Sequence, residues 1–251
     1  MLTVSRLTKR FGPLPLFEEL SLSVPRKGFT VLVGPSGCGK TTLFNVLTGA
    51  EPRRSGSIRW LEREVSNLGD TAAYMQQKDL LLPWMNLLEN AALPAAIAGR
   101  PKDRRRKKAA ALFARFGLAG AEKLAPKQAS GGMRQRCALV RTLMFERELV
   151  LLDEPLSALD AITRSGLQKE LWRLQTEFSR TILMITHDVE EALLLADEVL
   201  LCSRPPLRFL ESIVPPGAKP RHRDDPRIVA ARDRILRRLE KEAGTEGGHL
   251  A

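Results

Sequence analysis

No segment of the 251-residue chain stays apolar for the roughly 18 residues that a membrane-spanning helix requires. The opening Met1-Leu-Thr-Val-Ser-Arg6 lacks the charged and apolar regions of a secretory signal, so a cytoplasmic location is expected. Cysteine is scarce. Cys38, Cys137 and Cys202 are far apart, odd in number and without a C-x-x-C pair, which argues against a disulfide framework or a zinc site. Cys38 sits in a glycine-rich loop, where exposure and sensitivity to oxidation are expected. Acids are outnumbered, 29 against 40 basic residues, for a net charge of +11. The excess lies in the block Arg104–Lys108 and in the segment after Arg204, which holds Arg221, Arg223, Arg227, Arg232, Arg234, Arg237, Arg238 and Lys241. Such runs suit a solvated face, an anionic lipid surface or nucleic acid. The 43% hydrophobic and 27% charged residues describe a globular protein with one large core, or one core and a subdomain.

What is present centres on Gly34, Pro35, Ser36, Gly37, Cys38, Gly39, Lys40, Thr41 and Thr42, which spell G-x-x-x-x-G-K-T followed by a second threonine. Phe29–Val33 before it is a short β-branched apolar run, hence a buried strand. From Thr41, Leu43, Val46 and Leu47 recur at helical spacing until Gly49. Strand, glycine loop and helix form a cradle for polyphosphate: backbone amides turn inward and the helix N-terminus adds partial positive charge. Lys40 can reach the β- and γ-phosphates, and the Thr41 hydroxyl can bind Mg²⁺.

Along the chain, Leu2, Val4 and Leu7, then Leu20, Leu22 and Val24, then Ser57–Leu61 read as strands of an antiparallel layer around this loop. Ala72–Met75 is a further strand leading to Gln76 and Gln77. Residues 78–130 hold no convincing strand. Leu87–Ala98, around Pro94, and Asp103–Phe116, with Ala109, Leu112, Phe113 and Phe116 on one face, predict a helical insertion. Ser130 is a natural N-cap for the next helix. Apolar strands follow at Glu148–Asp153, Thr181–Thr186 and Val199–Cys202, with a capping-box pattern at Asp188 and Glu191. The predicted fold is α/β: a phosphate-loop (RecA-like) core with a mostly parallel sheet, an N-terminal antiparallel layer and an inserted helical subdomain. The expected division is 1–205 for the ATP-binding domain, with the helical subdomain at about 78–130, and 206–251 for a basic tail with one helix around Ile228–Leu239.

The acidic pair Asp153-Glu154 at the end of an apolar strand completes the chemistry. Asp153 can join the Mg²⁺ shell, and Glu154 can orient and deprotonate a water aimed at the γ-phosphate.

In this order the motifs resemble those of the ATP-binding subunits of ABC transporters, over roughly residues 1–205. Ser130-Gly131-Gly132-Met133 matches the signature, Pro155–Asp160 the loop after the catalytic acid, and His187 the switch histidine. Gln76 matches the glutamine that joins core to helical subdomain and touches the metal–water shell, with Gln77 as the alternative. Phe11 matches the aromatic that stacks on adenine. Two positions depart from the pattern: Ala129 stands for the usual leucine and Met133 for the usual glutamine, which is expected to weaken dimerisation while leaving the Ser130 hydroxyl and the backbone donors in place.

The resemblance implies Glu154, His187, Gln76 and Lys40 as catalytic residues, and Thr41, Gln76 and Asp153 around Mg²⁺. It implies ATP contacts from Phe11, from 34–42, from Ser130–Met133 and from Asp160. The implied partners are a second copy in head-to-tail pairing, membrane-spanning permease subunits and, indirectly, a solute-binding protein, at the inner face of the cell membrane. Leu80-Leu-Leu-Pro-Trp84 and Arg223-Asp-Asp-Pro-Arg227 are similar to the nitrate, sulfonate and taurine importer branch. The expected function is therefore ATP hydrolysis that powers uptake of a small solute. The pI near 10.1 suggests the alternative, a non-transport ABC ATPase acting on nucleic acid.

Overall fold

Residues 1–244 are described in the computed structural model of the chain. The N-terminal alternation produces a four-stranded antiparallel sheet of β2 (Leu14–Val24), β1 (Leu2–Phe11), β4 (Ser55–Trp60) and β5 (Arg63–Val65), in that spatial order. The main sheet has six strands. Its order is β10 (Phe209–Ile213), β9 (Glu198–Cys202), β3 (Phe29–Val33), β8 (Thr181–Thr186), β7 (Leu149–Asp153) and β6 (Ala72–Met75). All neighbours are parallel except β10, which pairs antiparallel with β9.

The inner strands are apolar along their whole length because both faces are covered. The two-residue period of a strand divides them between two cores. Val31, Val33, Leu152, Ile182 and Met184 face a core with Leu139, Leu171 and Leu193 of the helices. Leu32, Leu151, Leu183 and Ile185 face the opposite core, with Leu43, Phe44 and Leu47 of α1 (Lys40–Thr48) and with Leu2, Val4 and Phe17 of the antiparallel sheet. Helix α1 thus lies between the two sheets, and its N-terminus is held at the carboxyl end of β3.

Between β6 and β7 come α2 (Leu87–Ile97), α3 (Lys102–Arg115) and α4 (Gly131–Leu143). Asn86 begins α2 with a full capping box: its side chain accepts from Glu89 N, and the Glu89 side chain accepts from Asn86 N. Phe113 of α3 and Cys137 of α4 are buried in the same core as Leu87 and Ala91. The helical unit therefore continues through α4 to Leu143, past the expected limit at 130. Helix α5 (Ala161–Thr176), which the sequence reading does not single out, follows β7, and α6 (Val189–Leu195) precedes β9.

The expected tail beyond 205 is corrected most. It supplies β10 to the edge of the main sheet, and α7 (Pro226–Gly244) buries Ile228 and Ile235 in the helical core. Residues 206–244 are part of the same body as the rest, and 245–251 lie outside the described residues. A second correction concerns the cysteines. All of Cys38, Cys137 and Cys202 are completely buried, and Cys38 packs in the core that holds Leu43, Phe44 and Leu47.

Candidate active site

The phosphate loop owes its shape to close backbone approach. A Cβ on Gly34 would lie 2.7 Å from Cys202 Cβ and 2.8 Å from Cys202 O, so only glycine lets the loop leave β3 beside β9. Gly39, at φ 109°, precedes α1 and offers no side-chain cap. The first-turn amides of α1 are therefore left for a ligand, with the positive end of the helix dipole behind them. Lys40 is 5% exposed. Its Nζ donates to the carbonyls of Gly34 (2.8 Å) and Pro35 (2.7 Å) and lies 3.5 Å from Cys38 Sγ. A cavity of about 180 Å³ covers the loop from Ser36 to Thr42, walled by Leu16, Gln77, Glu154 and Ile185.

The carboxyl end of β7 brings Glu154 to the wall of this cavity, with Asp153 buried before it near the Thr41 hydroxyl. Asp153 is fully buried, and neither carboxylate oxygen has a hydrogen-bond partner among the described residues. Burial raises its pKa to about 6; the Thr41 hydroxyl opposes that, the Glu154 carboxylate adds to it and Lys40 opposes it. A buried carboxylate without a partner beside a threonine hydroxyl is an oxygen donor set that fits a hard divalent cation such as Mg²⁺. Glu154 takes a left-handed backbone, φ 48°, unusual for a residue with a Cβ. That conformation is held by Glu154 N donating to Ile185 O (2.9 Å) and by Gln135 Nε2 donating to Glu154 O (2.8 Å). Its carboxylate lies between two neighbours: Gln77 Nε2 at 3.3 Å from Oε2, and His187 Nδ1 at 3.3 Å from Oε1.

Not every expected residue reaches the cavity. Gln77, not Gln76, is the glutamine that lines it and donates to Glu154. Past the end of β6 the two tandem glutamines are not equivalent, and one residue of shift decides which side chain faces β7. Phe11 is 51% exposed at the end of β1, with Lys9 Nζ 4.8 Å from its ring centroid, outside the cavity wall. Ser130 caps α4 by accepting from Met133 N at 3.2 Å. Gly131 lines a second hollow of about 420 Å³ that shares Gln77 with the first, and none of Ser130, Gly131, Gly132 and Met133 lines the chain's own phosphate loop. Asp160 is likewise absent from that wall. It caps α5, accepting from Thr163 N at 3.0 Å, and these amides hold its pKa below the usual value.

Three positioning residues escape motif reading. Leu16 packs over Gly39, where a Cβ would come within 3.0 Å of it. Buried Gln135 bridges α4 to the loop after Glu154, through Glu154 O, Ser157 Oγ and Ala158 N. Arg164 joins the same loop to the histidine turn: it donates to Leu159 O at 3.1 Å and pairs with Asp188 at 3.4 Å. The capping box expected at Asp188 forms by half. Asp188 accepts from Glu191 N, but the Glu191 carboxylate turns inward to the Thr186 hydroxyl. The capping-box spacing was the sequence signal for Glu191, and no motif pointed to Gln135, which lies between Arg134 and Arg136.

With this geometry, the ABC transporter family model matches residues 17–157 of the chain. The chain belongs to the ABC transporter family. It is an ABC ATPase, with the phosphate-loop α/β fold of ABC cassettes. Its relatives include the taurine import ATP-binding protein TauB of Escherichia coli O157:H7 and that of Escherichia coli strain K12. Each is 38% identical over 247 residues, covering 95% of this chain and 97% of the relative. Among solved structures, a dimeric ABC cassette, MJ0796, bound to ADP and Pi aligns with a TM-score of 0.79 at 24% identity. Another dimeric structure of MJ0796, described as a bacterial ABC transporter cassette, aligns at 0.80 and 23%. Both cover 87% of this chain and 100% of the cassette. At that identity the likeness concerns the ABC fold.

Proposed function

We propose that this chain is the ATP-hydrolysing subunit of an importer for a small solute of the taurine, sulfonate or nitrate kind. The observation that carries the chemistry is the Glu154 carboxylate, held at the wall of the phosphate-loop cavity between Gln77 and His187. The direction and class of transport are supported by the printed names of the relatives.

In this reading, ATP lays its phosphates over Ser36–Thr42. Lys40 exchanges the carbonyls of Gly34 and Pro35 for the β- and γ-phosphates, and the α1 amides donate to the rest. Asp153, Thr41 and Gln77 are the residues that would hold Mg²⁺, which neutralises charge developing between the β- and γ-phosphates when bound. Glu154 orients the attacking water and accepts its proton. His187 and Gln77 hold the Glu154 carboxylate toward the cavity. Phe11, half exposed at the end of β1, stacks on adenine in this reading. The Ser130 helix serves the nucleotide of a second copy, because it does not reach its own loop, so the working unit is a head-to-tail pair with two equal sites. The pair sits at the inner face of the membrane under permease subunits fed by a solute-binding protein. The exposed Leu80 and Trp84, at 50% and 75%, are the apolar contact for those subunits.

Glu154→Gln tests the assignment. ATP affinity is expected to be kept and hydrolysis to fall by about 10²–10⁴, with uptake lost in the assembled transporter. Turnover within about threefold of wild type would remove Glu154 from the base role.

A further inference from the structure

The packing of α3 on α2 stops half-way along α3. Ala109 and Phe113 are buried in the helical core. One and two turns earlier the same face of α3 carries Arg105, Arg106 and Lys102. The helices there enclose an open groove of about 260 Å³. Its floor is apolar, from Met85, Leu88, Ala92 and Leu93, and its rim carries Lys102, Arg105, Arg106 and a single acid, Glu89. Glu89 is already engaged with Asn86 N at 3.1 Å. Arg105 donates to Arg100 O at 3.2 Å, whereas Lys102 and Arg106 are exposed and have no ion-pair partner among the described residues.

Three cations above an apolar floor match a ligand that is anionic at one end and apolar just behind it. A small soluble anion would leave the floor wet. Nucleic acid would engage the exposed Arg104 and Lys107, off the rim, as readily as the rim itself. Position agrees with the first chemistry. Met85 lines the groove and directly follows Trp84, which is 75% exposed, so an exposed apolar side chain stands at its entrance. We propose that the open end of the α2–α3 groove binds the anionic headgroup and adjoining apolar stem of a membrane phospholipid, and so seats the helical unit on the leaflet. The inference goes beyond the transport reading and is tested without permease subunits, so the two fail separately.

The experiment is flotation of the full chain with vesicles of phosphatidylglycerol mixed into phosphatidylcholine, and with phosphatidylcholine alone. Binding is expected to the mixed vesicles only and to weaken with salt. Each basic group near an anionic surface is worth roughly fivefold in partitioning, so Arg105→Gln with Arg106→Gln should lower it about twentyfold. Arg104→Gln with Lys107→Gln removes the same charge from the same helix away from the rim and should cost less than about threefold. Leu93→Gln keeps every charge and should weaken binding by removing part of the floor. ATPase activity, unchanged in all of these, checks that they fold. Equal losses for the two double variants would reduce the site to a diffuse charged face and overturn the proposal. So would an unaffected Leu93→Gln, equal binding to neutral vesicles, or preferential binding of a short DNA duplex at the same salt.

Discussion

Glu191 shows how one side chain can tune the turn that carries His187. It is 4% exposed at the start of α6, and burial raises its pKa to about 7; the Thr186 hydroxyl opposes the rise, Asp188 adds to it, and Arg164 and His187 oppose it. Its folded pKa lies above the ordinary value near 4.5. Between those values the folded state holds more protons than the unfolded one, so this group's contribution falls as pH rises toward 7 and is fully lost above it. Glu191→Gln spares the cost of ionisation. Its melting temperature should exceed that of wild type at pH 8, by an amount equivalent to as much as about 3 kcal/mol, and match it near pH 4.5. A constant offset at every pH would mean that Glu191 does not titrate in this range. At this scale the sequence was legible wherever chemistry demands a residue type. The motif from Gly34 to Thr42 and the pair Asp153-Glu154 could be picked out because phosphate binding and base catalysis leave little choice of residue, and Glu154 lies at the wall of the cavity over the loop. Gln77 was not separable from Gln76 by spacing alone, since a tandem repeat satisfies the same motif in two ways.

Among the elements, α2 positions the segment proposed to contact membrane subunits. Asn90, completely buried, accepts from Leu82 N at 2.7 Å and donates to the carbonyls of Leu82, Met85 and Asn86. One amide thus ties together four backbone groups of the irregular stretch between 82 and 86. From α4, Arg134 pairs with Asp79 at 3.0 Å and Arg141 donates to Leu80 O at 2.8 Å. Asn90→Ala takes these bonds from Leu82 N and Met85 O, at about 1–3 kcal/mol, while Leu82 O and Asn86 O keep their backbone donors. It should lower the melting temperature and reduce uptake while leaving the isolated subunit's ATPase near wild type. Trp84→Ala, whose side chain is largely exposed, should reduce uptake with no thermal penalty. Normal uptake in both would detach this segment from the permease. Elements with strong periodicity, such as α3 and the core strands, were readable because burial on one face or both writes itself into composition. Strand β10 was not. Phe-Leu-Glu-Ser-Ile is short, sits among prolines and arginines, and gains its identity only by pairing with β9. Helix α5 carries Leu167, Leu171 and Leu174 at helical spacing, but Asp160 before it matched a loop motif first and hid its role as a cap.

In the proposed head-to-tail pair, the whole molecule supplies half of each of two sites. Ser130 and Gly131 are exposed and away from the chain's own phosphate loop, so a nucleotide bound to one copy leaves its outer face for another. Glu154→Gln, which blocks turnover but spares the cradle, should form dimers with ATP and Mg²⁺ in light scattering at high concentration. Adding Ser130→Arg places a bulky cation at that contact and should return the protein to monomers. Dimers that persist in the double variant would place the interface elsewhere. The final segment belongs to this scale too, because β10 is the last strand in the order and covers β9, whose residues from Val199 to Cys202 are buried. Without that strand, β9 would present a row of unpaired amides and carbonyls with apolar side chains on both sides, a template on which other chains add strands. Strand β10 therefore guards against aggregation: it takes the outer place from the largely apolar β9 and leaves as the rim of the sheet a short, half-buried strand that carries Glu211 and Ser212.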